Sequence, residues 1–304
     1  MSEKYDIVII GSGPAGMTAA IYASRYGLSV LVLGAKEGGT ISDAHKVCNF
    51  PGFPEIEGSK LSDRIKEHAE KEGSTMSMEM VTSVKDSDGG FEIETNLGNS
   101  YFGKRLVLAT GTERKKLGLE NEDKFLGSGI SYCATCDGRF FDDKVVGVVG
   151  GGNAAVTAAL HLSDFATEVH LFHRRNELRA AEVWKTQIKE KDNIKIHYET
   201  EVVELKGEMK LEKVKLNNGE EIELKGLFIE IGLVPSTDLA KKLDVELDER
   251  GYVKVDSEQK TSNENVWAIG DMTTGSNKFK QAVVAAAEGA IAGQSIHSEV
   301  KSKN

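Results

Sequence analysis

The stretch YDIVIIGSGPAG, residues 5–16, decides the fold that this sequence predicts. Ile7 to Ile10 is a short β-branched run, and a glycine-rich turn joins it to a helical segment from about Pro14 to Tyr26. Val30 to Leu33 follows as a second buried strand. A strand, a tight turn, a helix and another strand in this order are typical of a parallel βαβ unit.

Three glycines of that turn, Gly11, Gly13 and Gly16, form the pattern G-x-G-x-x-G. Glycine at these positions permits a tight turn, lets the backbone approach a pyrophosphate and lets the helix pack on the strand. The N–H groups at the helix N-terminus then face the phosphates. The motif predicts a dinucleotide site, although the acidic residue that usually ends the second strand is not evident, since Glu37 lies slightly late.

The same pattern returns 139 residues later in the chain. Lys144 to Val149 indicates a strand, GGGNAA follows, Ala155 to Ser163 suits a helix and Glu168 to His173 suits the next strand. Gly150, Gly152 and Ala155 form G-x-G-x-x-A, which is also a dinucleotide fingerprint. One glycine motif alone fits many α/β proteins, but two such units indicate two related nucleotide-binding domains.

Each βαβ unit is followed by a segment of different character. Residues 91–111 have the pattern of hairpin-like strands, and residues 194–232 repeat it with Asn-Gly as a turn signal. Strand character returns after residue 251, and an alanine-rich helix is predicted from Gln281 to Gly293. The predicted fold class is α/β, with two Rossmann-like three-layer domains that each carry a small antiparallel β insertion.

The second strand of the second unit ends in HRRNELR, residues 173–179, rather than in an acidic residue. Guanidinium groups bind phosphate in a bidentate way, and this is the position that reads the ribose of a bound dinucleotide. Arg174, Arg175 and Arg179 therefore favour NADPH over NADH. The alternative is a solvated basic cluster at the start of a helix.

Composition excludes several classes of partner. The 304 residues include 38 basic and 48 acidic side chains, a net charge of −10, which argues against nucleic acid or an anionic membrane as a partner. The N-terminus MSEKYDIVII does not have the pattern of a secretory signal, and no apolar run reaches the roughly 18 residues of a membrane helix. With three cysteines, no disulfide framework is expected, and we expect a cytoplasmic protein.

Two of the cysteines lie in GISYCATCDGRFF, residues 129–141. A C-x-x-C pair such as Cys133 and Cys136 can hold a metal, stabilise a fold or carry electrons. Beside two dinucleotide sites, one for a flavin and one for a nicotinamide, the pair would be a natural two-electron acceptor. Asp137, which is adjacent, is a candidate proton donor for a departing thiolate.

Cys48 is the third cysteine, and it permits a competing hypothesis. His45 and Cys48 form H-x-x-C, and together with Cys133 and Cys136 they make up a four-ligand zinc set. Zinc would inactivate the redox pair, so the sequence predicts no metal and Cys48 is interpreted as a free thiol.

The ordered motifs GSGPAG, NFPGFP, ATG (109–111), CATCDG, GGGNAA, HRRNELR and AIGDM resemble those of the low-molecular-weight thioredoxin reductases over essentially the whole chain. The resemblance implies a homodimer that uses FAD and NADPH. It also implies a discontinuous FAD-binding domain, residues 1–115 with 244–304, and an inserted NADPH-binding domain, residues 116–243. Rotation of the inserted domain would use hinges at about 112–119 and 234–245.

Residue roles follow from the resemblance alone. Cys136 would face the flavin and receive its electrons, Cys133 would attack the partner's disulfide, and Asp137 would be the acid/base. The positions that correspond to FAD contacts are Gly11, Gly13, Pro14, Ala15, Gly16, Gly38, Gly39, Thr40, Asn49, Thr110, Gly111, Gly270, Asp271, Lys280, Gln281 and Ala282. The positions that correspond to NADPH contacts are Gly150, Gly152, Asn153, Ala154, Ala155, His173, Arg174, Arg175 and Arg179.

Three positions depart from the family pattern. Gly38-Gly39-Thr40 stands where the family has Gly-Gly-Gln, Lys280-Gln281 stands where it has Arg-Gln, and Cys48 replaces a residue that is usually acidic. These departures affect expected flavin contacts and leave the cofactor prediction unchanged.

The expected function is NADPH-driven reduction of thioredoxin or a similar redoxin through FAD and the Cys133–Cys136 disulfide. Alternatives are a flavoprotein dithiol reductase with another electron donor, such as ferredoxin, or with a glutaredoxin-like partner. A third is a cofactor-binding redox sensor without turnover. Relatives that use ferredoxin are expected to lack the arginine cluster, which argues against that donor.

Overall fold

The computed structural model describes residues 3–44, 47 and 49–303, except for the side chains of Cys136, Lys278 and Lys303. The chain divides into two compact units. The terminal unit comprises residues 1–113 and 234–304, and the central unit comprises residues 114–233. His45 and Cys48 lie outside the described residues, and so does the zinc set that includes them.

Strands and helices alternate in residues 3–77, 122–198 and 233–303, and between these ranges strands follow one another directly. The strands are β1 (Glu3–Ile10), β2 (Val30–Leu33), β3 (Thr75–Ser77), β4 (Val81–Ser87), β5 (Gly90–Thr95), β6 (Ser100–Leu108), β7 (Thr112–Arg114), β8 (Ile130–Ser131), β9 (Val145–Val149), β10 (Glu168–His173), β11 (Ile194–Tyr198), β12 (Val202–Lys206), β13 (Lys213–Leu216), β14 (Glu221–Glu223), β15 (Gly226–Ile229), β16 (Leu233–Pro235) and β17 (Val266–Ala268). The helices are α1 (Pro14–Arg25), α2 (Gly58–Lys71), α3 (Glu122–Phe125), α4 (Ala134–Asp137), α5 (Asn153–Ser163), α6 (Glu182–Lys189), α7 (Asp238–Lys242) and α8 (Ala282–Lys303).

The terminal unit is built on a seven-stranded sheet with the order β3-β2-β1-β6-β5-β4, in which β17 also pairs with β6. Strands β1, β2, β3, β6 and β17 are parallel, and β5 and β4 continue the sheet as an antiparallel hairpin. Ile7 and Ile9 pack towards Ala19 of α1 and Ile296 of α8, while Val8 packs on the opposite side of the sheet. Core on both sides explains why these strands are continuous apolar runs.

The central unit repeats this architecture with a smaller sheet. Five parallel strands have the order β11-β10-β9-β15-β8, and a separate antiparallel sheet contains β12, β13 and β14. One apolar cluster joins the parallel sheet to α5 and α6, and a second joins it to the antiparallel sheet through Phe172, Val214 and Leu216. The unit is therefore a three-layer structure, and the predicted fold class is confirmed.

The predicted strands and first helices agree with the structure, and two extents differ. Ile194–Tyr198 and Gly226–Ile229 are parallel strands of the main sheet, so the central insertion is limited to β12–β14. The half-exposed edge strand Ile194–Tyr198 alternates like a hairpin strand, which explains the error there, whereas Gly226–Ile229 is buried throughout. Helix α8 continues beyond Gly293 to Lys303, because the buried side chain of Ile296 extends its apolar face.

The chain passes between the two units at two points, and the position of the second point also differs from the prediction. The sequence placed it between residues 243 and 244, and the structure has it between residues 233 and 234. Ala240 and Leu243, in and just after α7, are buried in the apolar cluster of the terminal unit, which assigns this segment to that unit. The two crossing strands, β7 and β16, pair with each other. No helix among the described residues is both long and apolar enough to span a membrane.

Candidate active site

The first glycine turn has the shape of a pyrophosphate cradle. A Cβ on Gly11 would lie 2.1 Å from the carbonyl oxygen of Ala109, and one on Gly16 would lie 1.9 Å from that of Gly11. Gly13 faces open space, since its nearest neighbour would be 3.9 Å away. Helix α1 begins at Pro14 without a side-chain cap, so its first N–H groups are directed towards that space.

The predicted segment Gly38-Gly39-Thr40 lies beside this cradle. A Cβ on Gly39 would lie 3.2 Å from the Cα of Gly13. Gly38 and Gly39 both have positive φ, 73° and 63°, and they begin a short 3-10 turn that ends at Asp43. The terminal unit thus brings together two of the predicted FAD-binding segments.

Residues predicted at the ends of β6 and β17 reach the same edge of the sheet. Thr110 and Gly111 follow β6, and the Thr110 hydroxyl donates to the Ser236 carbonyl at 2.6 Å. Gly270 follows β17, and a Cβ on it would lie 3.0 Å from the Ala15 Cβ at the start of α1. The carboxyl ends of parallel strands are where α/β sheets bind ligands.

Asp271 is partly buried behind this edge. Burial raises the pKa of its carboxyl group, and the Lys280 ammonium opposes that shift. A second acid, Glu288 on α8, is 3 % exposed and accepts the Gly270 N–H at 2.7 Å and the Thr273 hydroxyl at 3.3 Å. Glu288 therefore holds the turn that carries Asp271.

The departure at Lys280-Gln281 has a defined structural setting. The Lys280 ammonium donates to the Thr273 carbonyl at 2.9 Å and lies 4.8 Å from the ring centroid of Tyr252. The Gln281 amide oxygen accepts from Asn49 Nδ2 at 2.7 Å. Ala282 then begins α8. The structure thus places Asn49, Lys280 and Gln281 in one hydrogen-bonded group with the turn after β17.

The second glycine turn is also closed on one side and open on the other. A Cβ on Gly150 would lie 2.4 Å from the Glu230 carbonyl oxygen, and one on Gly151 would lie 2.1 Å from His173 Nδ1. Gly152 has nothing within 4 Å of such an atom, and α5 begins next to it at Asn153 without a side-chain cap. Ala154 is exposed and Ala155 is fully buried.

The arginine segment folds over the start of α5. The Arg179 N–H donates to the Gly151 carbonyl at 2.6 Å, and the Ala181 N–H donates to Asn153 Oδ1 at 2.8 Å. Arg174, Arg175 and Arg179 are all exposed, and within the described part of the chain none of them forms an ion pair.

His173 differs from these arginines because it is only 4 % exposed. Its Nε2 hydrogen-bonds with the Glu177 carbonyl at 2.9 Å. Burial lowers the pKa of His173, and the three arginines lower it further. The neutral imidazole therefore supports the turn against Gly151, while the arginines supply the exposed charge.

Cys133 lies between β8 and α4, and it is disulfide-bonded. Cys136 lies within α4. The backbone N–H of Asp137 donates to the Cys133 carbonyl at 3.1 Å and closes the turn. The Asp137 carboxylate accepts from the Ser131 hydroxyl at 2.7 Å, and the same hydroxyl oxygen accepts the Cys133 N–H at 2.9 Å.

A buried acid, Glu122, contacts the residue that precedes Cys133. Glu122 is 3 % exposed, and it accepts the backbone N–H groups of Leu117, Gly118 and Leu119 at 3.0, 2.7 and 3.3 Å. Its Oε1 also accepts the hydroxyl of Tyr132, next to Cys133, at 2.5 Å. Burial and then this hydrogen bond raise the pKa of Tyr132.

Ser131, Glu122 and Glu288 were missed by the sequence analysis. Glu288 had a local signal, because it is the one acid in the apolar stretch AVVAAAEGAIA. Ser131 and Glu122 had none that distinguishes them from surface residues. Within the described residues no group of three or more histidine, cysteine or acidic side chains is arranged to hold a metal.

Comparisons with known proteins agree with this geometry. The family model described as pyridine nucleotide-disulphide oxidoreductase matches residues 5–289. The thioredoxin reductase of Treponema pallidum is 38% identical and that of Bacillus subtilis 36%; the alignments cover 96% and 99% of this chain and 96% and 97% of those proteins. The crystal structure of T. acidophilum thioredoxin reductase is 38% identical with a TM-score of 0.87, covering 99% of this chain and 100% of that one. That of the Lactococcus lactis enzyme is 34% identical with a TM-score of 0.89, covering 98% and 99%.

The chain belongs to the pyridine nucleotide-disulphide oxidoreductase family and, within it, to the thioredoxin reductases. The resemblance, the enzyme class and the two cofactors, FAD and NADPH, are thereby confirmed. Both glycine turns fit such cofactors, because each leaves room for a pyrophosphate at the start of a helix.

Proposed function

We propose that this enzyme uses NADPH to reduce the disulfide of thioredoxin through FAD and a Cys133–Cys136 disulfide. The observation that carries the proposal is the disulfide at Cys133 in a C-x-x-C-D turn, within a chain that also has two dinucleotide cradles. A disulfide in such a turn exchanges readily with another dithiol, whereas a structural disulfide resists reduction.

The terminal unit would hold FAD and the central unit NADPH. The Gly11–Gly16 turn, the Gly38–Thr40 segment and the turn at Asp271 surround one cradle, which supports the first assignment. The exposed arginines beside Gly152 support the second, because they match a 2′-phosphate. When bound, the two cofactors supply hydride transfer from the nicotinamide to the flavin and two electrons for the disulfide.

The chain's own residues then transfer the electrons by dithiol–disulfide exchange. Reduction breaks the Cys133–Cys136 bond, and the Cys133 thiolate attacks one sulfur of the thioredoxin disulfide to form a mixed disulfide. Asp137 accepts the proton of the Cys133 thiol and then donates it to the thiolate that departs from thioredoxin. Cys136 then attacks the Cys133 sulfur, which releases dithiol thioredoxin and restores the enzyme disulfide. One disulfide is reduced for each NADPH consumed.

Two anaerobic experiments test this proposal. NADPH should bleach the bound flavin of the unmodified enzyme, and failure to bleach would overturn the choice of electron donor. Cys136→Ser should retain NADPH-driven flavin reduction and lose thioredoxin reduction. Cys48→Ser is the matched control, with both steps retained. Undiminished thioredoxin reduction by Cys136→Ser would remove the role that we assign to this cysteine.

We further propose a cytoplasmic homodimer whose partner is thioredoxin or a similar redoxin. The low cysteine content supports the compartment, and the net charge of −10 argues against nucleic acid and anionic membranes as partners. Steady-state reduction of thioredoxin and a glutaredoxin-like protein, compared side by side, identifies the preferred partner. Sedimentation of the holoenzyme should give twice the mass of the chain, and a monomer at all concentrations would contradict the dimer.

A further inference from the structure

We infer that Ser131 is a positioning residue for dithiol exchange. Its hydroxyl fixes the Asp137 carboxylate relative to Cys133 in the turn formed by residues 131–137, the redox turn. The inference rests on the proposed function, since it concerns the proton that Asp137 delivers to the departing thiolate. Ser131 acts through Asp137 and does not itself take part in the exchange.

The hydroxyl of Ser131 contacts both ends of the turn. Its oxygen accepts the Cys133 N–H at 2.9 Å, and its O–H donates to Asp137 Oδ2 at 2.7 Å. The Cys133 carbonyl also lies 3.3 Å from this oxygen. A hydroxyl has one proton to donate, and the shorter, charge-assisted bond to the carboxylate is the stronger one. The donor is therefore directed to Asp137.

The position of Ser131 makes this arrangement rigid. The residue is 4 % exposed, and it pairs with Phe228 as the last residue of strand β8. Water therefore has little access to its hydroxyl, and the strand pairing holds its backbone. An Asp137 rotamer that points away from Ser131 would lose this charge-assisted hydrogen bond. Ser131 thus determines where the carboxylate points when the mixed disulfide forms.

The expected consequence is selective. Loss of the hydroxyl removes the orientation of the proton donor, and general acids contribute roughly 10²- to 10⁴-fold to such steps. We expect Ser131→Val to lower kcat for thioredoxin reduction about tenfold, because misorienting the acid removes part of its contribution to the rate. The KM for thioredoxin and the rate of NADPH-driven flavin reduction should remain unchanged.

Ser131→Thr and Ser131→Val are a matched pair for the test. Both add the same bulk to β8, and only threonine retains the hydroxyl. Threonine should recover most of the wild-type kcat and valine should not. Ser131→Ala, which adds no atoms, should match valine if the hydroxyl is what matters. Equal activity of the threonine and valine variants, or a fully active alanine variant, would overturn the inference.

Coupling to Asp137 is measured with a double-mutant cycle. Asp137→Asn alone should lower kcat, and adding Ser131→Val to it should cause less than a further twofold loss, because both changes disable one group. Multiplicative losses would show that Ser131 acts independently, which contradicts the inference. Full activity of Asp137→Asn would instead contradict the acid/base role in the proposed function, so the two failures are distinguishable.

Discussion

Glu79 is a buried carboxylate with an unusually complete set of donors. It is 6 % exposed, and it accepts hydrogen bonds from the side chains of Ser77, Thr95, Asn99 and Tyr101. Hydrogen bonds from Thr95 and Ser77, and then those from Tyr101 and Asn99, outweigh the opposing effect of burial and lower the pKa of Glu79 from 4.5 to about 2. These hydrogen bonds connect the segment between β3 and β4, which contains Glu79, to β5 and β6.

This pKa predicts how the stability of the terminal unit depends on pH. The folded state has the lower pKa, so the stabilisation is present above pH 4.5 and is lost as the pH falls towards about 2. The shift corresponds to about 3 kcal/mol when the carboxylate is fully ionised. Glu79→Gln should be less stable at pH 6, and its disadvantage should shrink by pH 3. Urea unfolding at pH 6 and pH 3 measures the free energy of unfolding of both proteins. A difference between them that does not depend on pH would contradict the prediction.

Alanine substitutions at Gly13 and Gly11 should distinguish ligand binding from packing at the first glycine turn. An alanine Cβ at Gly13 meets no protein atom closer than 3.9 Å, whereas at Gly11 it would lie 2.1 Å from a carbonyl oxygen with φ at +122°. We expect Gly13→Ala to lower FAD affinity at least tenfold and to leave the melting temperature of the apoprotein unchanged, because the added methyl enters the pyrophosphate space.

Gly11→Ala is the contrasting variant, and it should lower the apoprotein melting temperature as well. Flavin fluorescence titration and thermal unfolding of the two apoproteins give both quantities. Normal FAD affinity in Gly13→Ala would place the pyrophosphate elsewhere.

The segment between β10 and α6 is the element that should determine nicotinamide preference. Each arginine that contacts the 2′-phosphate should contribute about tenfold, the value of one charge-assisted hydrogen bond. Arg174→Gln, Arg175→Gln and Arg179→Gln should therefore lower kcat/KM for NADPH and leave that for NADH unchanged. Lys185→Gln is a control on the adjacent helix, where Lys185 pairs with Glu177 at 2.9 Å. Equal losses with both nucleotides would contradict a phosphate site.

Helix α3 carries the acid that links residues 117–119 to the redox turn. Glu122→Ala leaves three backbone N–H groups and the Tyr132 hydroxyl without their acceptor, and should destabilise the central unit by about 3 kcal/mol or more. Tyr132→Phe removes one donor and leaves the carboxylate three others, so it should cost about 1 kcal/mol. Urea unfolding of both variants measures the two losses of unfolding free energy, and equal losses would contradict the prediction.

At the scale of the whole molecule, two chain segments join the units, and β7 and β16 lie in them. We expect turnover to require rotation of the central unit, because the nicotinamide site and the dithiol would both lie on it and both need the flavin. A cross-link engineered between the units should preserve flavin binding and abolish thioredoxin reduction. Cleaving the cross-link should restore activity. Full activity of the locked enzyme would exclude the rotation.

The sequence by itself determined the two βαβ units, the glycine turns within them and the C-x-x-C motif of the proposed redox turn. These features are local: apolar runs, glycines that the turn geometry requires and the C-x-x-C spacing lie within a few residues of one another. Only the tertiary structure decided which unit contains α7, which strands of 194–232 are parallel, and which buried partners hold the sites. Ser131 with Asp137, Glu122 with Tyr132 and Glu288 with Gly270 are pairs made by folding. Burial decides whether a polar residue is a solvated side chain or an obligatory hydrogen-bond partner, and burial is a property of the packed molecule.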